Sequence, residues 1–363
     1  MGLFGKSVPN SYLGVDLSGD GIKVVELKNF QGKPQLATYG YAHAVTDVMK
    51  GSLVDNVNVT STLLKEVCDK AKCSTNQAIA AIPVSKTFTY VMKIQKILKK
   101  DLVDANKIKG ILEIEAKKVL PMPIDQMQFD YTIINGDEFK DLKDTDEANN
   151  VKFLITAASN AMVKNYTQIF QQAGLNLVSL DIESFSLVRS LVGNDKSLVM
   201  VVDFGENTTG MSIINNGVPV FNRSVEIGGN VITKKLAETM SVSNDDAERY
   251  KKDLGILMQQ QNMTELPKPI AQSIAPVVSE IKFLIKNYYE QVSNEAIVDR
   301  IILTGGGSAL SGLQEHITKE LDIRTYIGDP WARIIYPQEL ASVLAEVGPR
   351  FSVAIGLAMT KIK

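Results

Sequence analysis

The stretch from Leu198 to Ile214, reading LVMVVDFGENTTGMSII, limits the possible folds more than any other in the chain. Its apolar run over residues 198–202 is too short and too rich in Val for a helix, so a buried strand is expected. The run ends in Asp203, passes through a polar turn over 205–210 and returns as a second apolar strand over 211–214. A hairpin of this kind can aim backbone N–H groups and hydroxyls at an anion, with the acid beside it holding a hydrated cation. Taken alone, the same residues also suit an ordinary hairpin turn.

A second copy changes the weight of that reading. Near the start the chain reads Tyr12-Leu-Gly-Val-Asp16-Leu-Ser-Gly-Asp-Gly-Ile-Lys23, again an apolar strand running into an Asp and then into small turn residues. The two acids lie about one domain's length apart, as if one supersecondary unit were used twice. Two such turns facing each other across a cleft would grip a polyphosphate from both sides.

At 363 residues the chain exceeds the usual size of a single core, so two domains are the default expectation. The formal net charge of −2 and the absence of any Lys/Arg tract give no reason to expect nucleic acid as a partner. Cys68 and Cys73, with His43 and His316 remote in sequence, are too few for a metal site and read as reduced, idle thiols of a cytoplasmic protein. No stretch approaches the roughly 20 apolar residues of a membrane-spanning helix, so direct membrane insertion is not expected. The N-terminus resembles neither a signal peptide nor a myristoylation site.

Periodicity places a third strand over 33–45, a turn at 49–52, a helix over 56–71 and a short strand over 78–84. The pattern then changes: strand 88–94, helix 101–120 stopped by Pro121 and Pro123, strand 128–135, an acidic loop over 136–150 and strand 151–157. The loop (Asp137, Glu138, Asp141, Asp144, Asp146, Glu147) reads as a solvated hairpin tip. Helix 160–174, strand 175–180 and helix 184–192 lead into the pivotal hairpin. After it come strand 218–225, Gly228-Gly229, helices 230–240 and 245–254, and a loose connection over 257–269. Helix 270–292, strand 300–303, helix 310–321 and a last apolar helix over 352–359 close the pattern, with Trp331 in a loop.

Two further clusters carry chemistry. Thr304-Gly305-Gly306-Gly307-Ser308 is a strand running into contiguous glycines and an expected helix start, where a flat base or a phosphate can approach the backbone. It matches neither a Walker loop nor GxGxxG. Glu248 lies three and four residues before Lys251 and Lys252 on one helix face, which also suits a surface ion pair.

The order of these elements resembles the actin, sugar kinase and heat-shock ATPase superfamily. Asp16-Leu-Ser-Gly-Asp-Gly-Ile-Lys23 is similar to its first phosphate motif, and Asp203-Phe-Gly-Glu-Asn-Thr-Thr209 to its second. Gly305-Gly-Gly-Ser308 resembles its adenosine motif, Asp181-Ile-Glu183-Ser-Phe-Ser and Val353-Ala-Ile-Gly356 its two connecting helices, and Glu248-Arg-Tyr-Lys251 the ribose- and base-flanking helix of the chaperone branch. The resemblance implies an α/β fold of two duplicated domains around a nucleotide cleft, with a small αβ subdomain inserted in the first. The expected division is 1–84 with 159–193, the insertion 85–158, the second domain 194–348, and a connecting helix 349–363. The insertion sits where FtsA-like proteins carry theirs. The Met1-Gly-Leu-Phe start and the missing C-terminal amphipathic tail look closest to the PilM family of type IV pilus assembly.

That resemblance implies ATP with Mg²⁺ between the domains. Ser18, Gly19 and Lys23 would face the phosphates from one side, and Gly205, Asn207, Thr208 and Thr209 from the other. Asp16 and Asp203 would organise Mg²⁺, mainly through water. Glu248, Lys251, Gly305, Gly306 and Ser308 would hold the nucleoside, with Gly228, Gly229, Lys252 and Gly307 also at the nucleotide. Glu183 stands where hydrolysing relatives place an acid near the attacking water, and any hydrolysis is expected to be slow. The implied partner is the N-terminal cytoplasmic tail of PilN, bound between the first domain and the insertion. Through that partner the protein would stand at the inner membrane from the cytoplasm and link PilN to other pilus motor components, with homo-oligomers open. The alternatives are an FtsA-like cell-division protein and, with less support, a small-molecule kinase.

Overall fold

Three β-sheets carry the fold. The computed structural model describes residues 10–43, 52–260, 263, 265–291 and 297–362. The N-terminal Met1-Gly-Leu-Phe stretch, the expected end of the third strand, the turn at 49–52 apart from Ser52, part of the 257–269 connection and Lys363 lie outside the described residues.

Ser11–Ser18 (β1), Gly21–Phe30 (β2) and Lys33–His43 (β3) form an antiparallel meander. Val57–Lys70 (α1) crosses over to Gln77–Ile82 (β4). Phe88–Leu98 (β5), Lys99–Leu102 (α2), Ala105–Ala116 (α3), Met127–Ile133 (β6) and Glu147–Ser159 (β7) follow. Asn160–Gln172 (α4), Asn176–Ile182 (β8) and Glu183–Leu187 (α5) return to the first sheet. Next come Val199–Phe204 (β9), Thr209–Asn215 (β10), Val218–Val225 (β11), Gly229–Met240 (α6), Asn244–Gln260 (α7) and Lys268–Gln291 (α8). Arg300–Thr304 (β12), Leu313–Leu321 (α9), Thr325–Ile327 (β13) and Ala341–Ala358 (α10) complete the chain order.

The first sheet runs β3-β2-β1-β4-β8 and the second β11-β10-β9-β12-β13. Both are antiparallel across the meander and parallel beyond it. The repeat seen at Asp16 and Asp203 is therefore a repeat of a whole five-stranded sheet. The central strands β1 and β9 are buried almost throughout, which is why both read as continuous apolar runs. A third sheet, β5-β7-β6, packs Val151, Phe153 and Ile155 on Ile108, Leu112 and Ala116 of α3. The acidic loop is not a bare tip: Phe139 is buried in this core, and the Asp144 carbonyl accepts from Lys100 N–H.

Several helices differ from the sequence expectation. The helix expected over 101–120 is split, because Asp104 caps α3 by accepting from the Asn106 and Lys107 amides. Helix α7 runs on to Gln260, past Gly255, which serves packing: a Cβ there would sit 2.5 Å from Ser311 Oγ. Strand β13 is too short to show a period of its own. The largest difference is α10, expected from 352 but beginning at Ala341 and continuing through Pro349.

With its flanking turns, the segment Gln338–Lys361 is long and apolar enough, by composition alone, to cross a membrane, contrary to the expectation that no stretch would qualify. Here it is a core helix, buried over residues 351–358. It lies at backbone distance from its neighbours. A Cβ on Gly14 would come within 1.8 Å of the Ala354 carbonyl oxygen, and one on Gly356 within 1.9 Å of the Ser186 carbonyl oxygen. Trp331 is also core: it is buried and donates Nε1–H to the Leu344 carbonyl at 2.8 Å.

Candidate nucleotide site

The two meander turns, after β1 and after β9, point into one cavity of about 690 Å³. Asp16 and Asp203 each sit near the end of a buried central strand, so the strand that builds the core also carries its acid to the cavity floor. Ser18, Gly19 and Lys23 line the cavity from the first turn, and Gly205, Asn207 and Thr208 from the second. Gly305, Gly306 and Glu183 complete it. Asn207 Nδ2 reaches the Gly19 carbonyl oxygen at 3.4 Å and joins the two tips.

Charge is concentrated on the floor. Lys23 is buried and donates from Nζ to Ser18 Oγ at 2.6 Å, to Asp16 Oδ2 at 3.4 Å and to Asp20. Burial works against its charge, but Asp16 and Asp20 outweigh that and hold Lys23 firmly protonated. For Asp20, burial is likewise overcome by Lys23, which keeps the carboxyl below its usual range. Asp16 is pushed up, burial exceeding the help from Lys23. Burial, then the neighbouring acids, push Glu183 up to about 8 and Asp203 up to about 7. Glu183 Oε2 accepts the Val84 amide at 3.1 Å, which fixes its side chain towards the cavity.

Three buried acids whose ionised forms are disfavoured ask for a cation. Among the described residues no three such groups stand close enough to chelate a metal directly. Mg²⁺, which keeps several waters, would be held by Asp16 and Asp203 through water. When bound, it would neutralise phosphate charge.

Several residues expected at the site lie behind it. Thr209 belongs to β10, not to the turn; it is fully buried, and its hydroxyl donates to the Ile227 carbonyl at 2.7 Å. Gly228 and Gly229 back the second turn instead of facing the cavity. Gly229 N–H donates to the Gly205 carbonyl at 3.0 Å, and a Cβ on Gly228 would strike the Glu206 carbonyl oxygen at 2.5 Å. Glu248 and Lys251 pair at 2.5 Å, and Lys251 Nζ reaches Thr233 Oγ1 at 2.7 Å and the Gly229 carbonyl at 3.1 Å. They buttress the turn from outside the cavity lining, while Lys252 is exposed.

The glycine run behaves similarly. Gly305 has φ +81°, and a Cβ there would sit 2.2 Å from Asp203 Oδ1; one on Gly307 would sit 2.1 Å from the Phe204 ring. The run is thus pressed onto the end of β9, and only Gly305 and Gly306 reach the cavity. Ser308 is buried and donates to the Gly305 carbonyl at 2.7 Å. The expected helix start is also displaced: a 3-10 turn, Gly306–Ala309, intervenes before α9.

Sequence reasoning passed over ten polar lining residues: Ser52, Ser85, Ser224 and Asn230, the acids Asp20, Glu206 and Glu226, and the cations Lys86, Lys234 and Arg350. Asp20 lay inside the quoted motif. Arg350 follows Pro349, whose carbonyl accepts Gly305 N–H and Thr304 Oγ1–H, both at 3.0 Å, so α10 itself delivers it beside Gly306. Among the described residues Lys86, Lys234 and Arg350 have no carboxylate at ion-pair distance, so they offer cations to an anion on walls that also carry Glu206 and Glu226.

Duplicated five-stranded sheets with paired turns facing one cavity define the actin-like ATPase fold. The chain superposes with TM-score 0.81, at 20% identity, on a chain of the "PilM-PilN type IV pilus biogenesis complex", covering 97% of this chain and 98% of that one. With MreB 5 of Spiroplasma citri, solved bound to AMPPNP, the score is 0.54 at 13% identity over 98% and 96%. In sequence it is 23% identical to the cell division protein FtsA of Neisseria meningitidis serogroup B, over 90% of this chain and 84% of that protein. The family described as "Type IV pilus assembly protein PilM" matches residues 14–362, and the chain belongs to that family.

Proposed function

We propose that this protein binds ATP with Mg²⁺ in the cavity between its two duplicated domains, as an actin-like scaffold of type IV pilus assembly. The carrying observation is that both turns, the glycine run and Arg350 converge on one cavity whose floor is acidic and whose walls carry Lys86, Lys234 and Arg350 beside Glu206 and Glu226. In this reading Ser18, Gly19, Lys23, Asn207 and Thr208 bind phosphates, Asp16 and Asp203 position hydrated Mg²⁺, and Gly305 and Gly306 admit the nucleoside. Lys23 must exchange part of its bonding to Asp20 for phosphate. Glu183, fixed by the Val84 amide, stands near the attacking water, and turnover is slow. The domains are 1–84 with 159–193, 85–158, 194–348 and 349–363; the last boundary falls inside α10, which ties the two halves together.

The partner is the N-terminal cytoplasmic tail of PilN, seated between the first domain and the insertion, and through it the protein stands at the cytoplasmic face of the inner membrane with the pilus motor. A solved complex of a structurally similar PilM with PilN supports this reading. Titration calorimetry with ATP, with and without Mg²⁺, followed by the PilN tail peptide, tests it. Saturable Mg²⁺-dependent binding is expected, and absence of nucleotide binding would sink the cleft assignment. The likeness to FtsA makes a cell-division role the second reading. Sedimentation with liposomes in the absence of partners is expected to leave the protein in the supernatant, and pelleting would favour that second reading.

A further inference from the structure

A second groove, of about 520 Å³, lies away from the nucleotide cavity, between the insertion and the second sheet. Its walls are consecutive residues of two sheet edges: 89–93 of β5 and 220–222 of β11. Each strand is the outermost of its sheet, and among the described residues no backbone hydrogen bond joins them. An outermost strand presents alternate unpaired N–H and C=O groups, a template for an added strand. Val91, Met92, Val119, Val220 and Phe221 supply apolar surface beside it.

The charges identify the occupant. Lys93 and Lys152 lie directly opposite each other on β5 and β7, and both line the groove. Like charges directly opposite across a ladder are destabilising. Among the described residues neither has a carboxylate at ion-pair distance, and the groove's single acid, Glu115, is already paired with Lys118 at 2.8 Å. We infer that this groove docks an extended, acidic peptide segment of a protein partner, which adds as a strand to the β5 edge and places a carboxylate beside Lys93, with Lys152 one strand further in adding its charge. The surface is separate from the one assigned to the PilN tail, and the inference does not rest on nucleotide binding.

A fluorescent ten-residue peptide alternating Val and Glu, titrated into the full chain by anisotropy, is the probe. Saturable binding is expected, with hydrogen-exchange protection confined to residues 89–93. Lys152→Glu should weaken the peptide at least about tenfold. It should also raise the melting temperature, because it turns a repulsive cross-strand pair into an attractive one; a merely damaged fold would do the opposite. The double change Lys93→Glu with Lys152→Glu should prefer a Val/Lys peptide instead. No binding, undiminished binding by Lys152→Glu, or equal binding of unstructured polyglutamate would overturn the proposal. So would Lys152-dependent binding to phosphatidylglycerol vesicles without binding of the peptide, which would assign the lysines to a lipid surface.

Discussion

Asn207 Nδ2 donates to the Gly19 carbonyl oxygen at 3.4 Å, while Asn207 Oδ1 accepts from Asn230 at 2.8 Å. One side chain therefore touches the first turn, belongs to the second, and is braced by α6. A ligand entering between the turns must displace or share that contact. Asn207→Ala should weaken nucleotide binding roughly 2- to 10-fold, the scale of one hydrogen bond. It should also speed hydrogen exchange at both turn tips. Unchanged exchange there would mean that the contact does not hold the cleft together.

In the proposed function Asp203 would favour binding at the expense of the empty protein. Its carboxyl is buried, raised by burial and then by Asp16, and pressed by Gly305 from the third motif. Asp203→Asn removes the ionised form but keeps the shape. Calorimetry should show Mg²⁺-dependent ATP affinity lost, while thermal unfolding of the empty protein at pH 8 moves upward. Wild-type affinity in this variant would refute the outer-sphere role.

The same groups set a pH dependence. Glu183 and Asp203 carry folded-state values of about 8 and about 7, raised above their ordinary 4.5 and 3.8. The folded protein thus holds protons that the unfolded chain has released, and its stability falls as pH rises between about 5 and 8. Denaturant unfolding of the nucleotide-free protein should show a loss on the order of a few kcal/mol over that window. Glu183→Gln should flatten the profile. A stability rising across the window would contradict the buried-acid account.

The acidic loop should be indifferent to nucleotide. Asp146 accepts the Lys143 amide at 2.8 Å, and Asp144 contributes only its carbonyl to Lys100. Replacing both with Ala should leave ATP affinity within experimental error and cost at most about 1 kcal/mol, local to the insertion. A tenfold change in affinity would show that the insertion is coupled to the cleft.

Much of this was legible in residue order, for a physical reason. The buried central strands are apolar without interruption, so Asp16 and Asp203 stand out where the runs end, and the turn residues after them are small by necessity. That local pattern named both jaws and the glycine run. It misjudged Thr209 because a strand's first residue and a turn's last residue have the same composition. Only pairing with Phe204 and the Ile227 carbonyl decided that its hydroxyl points inward. Lys251 and Glu248 were on one helix face as expected, yet their distance from the cavity depends on how α7 lies against α6.

Residue types and spacing thus determined the duplicated strands, the acids at their ends and the glycines that let backbones meet. These are short-range facts, set by burial and by backbone stereochemistry. Tertiary structure decided which groups share the cavity. Lys23 spends its charge on Asp16 and Asp20, Arg350 arrives on a helix that runs through a proline, and Lys93 faces Lys152 across a ladder. Each of those relations joins elements by packing and register, and no local period records them.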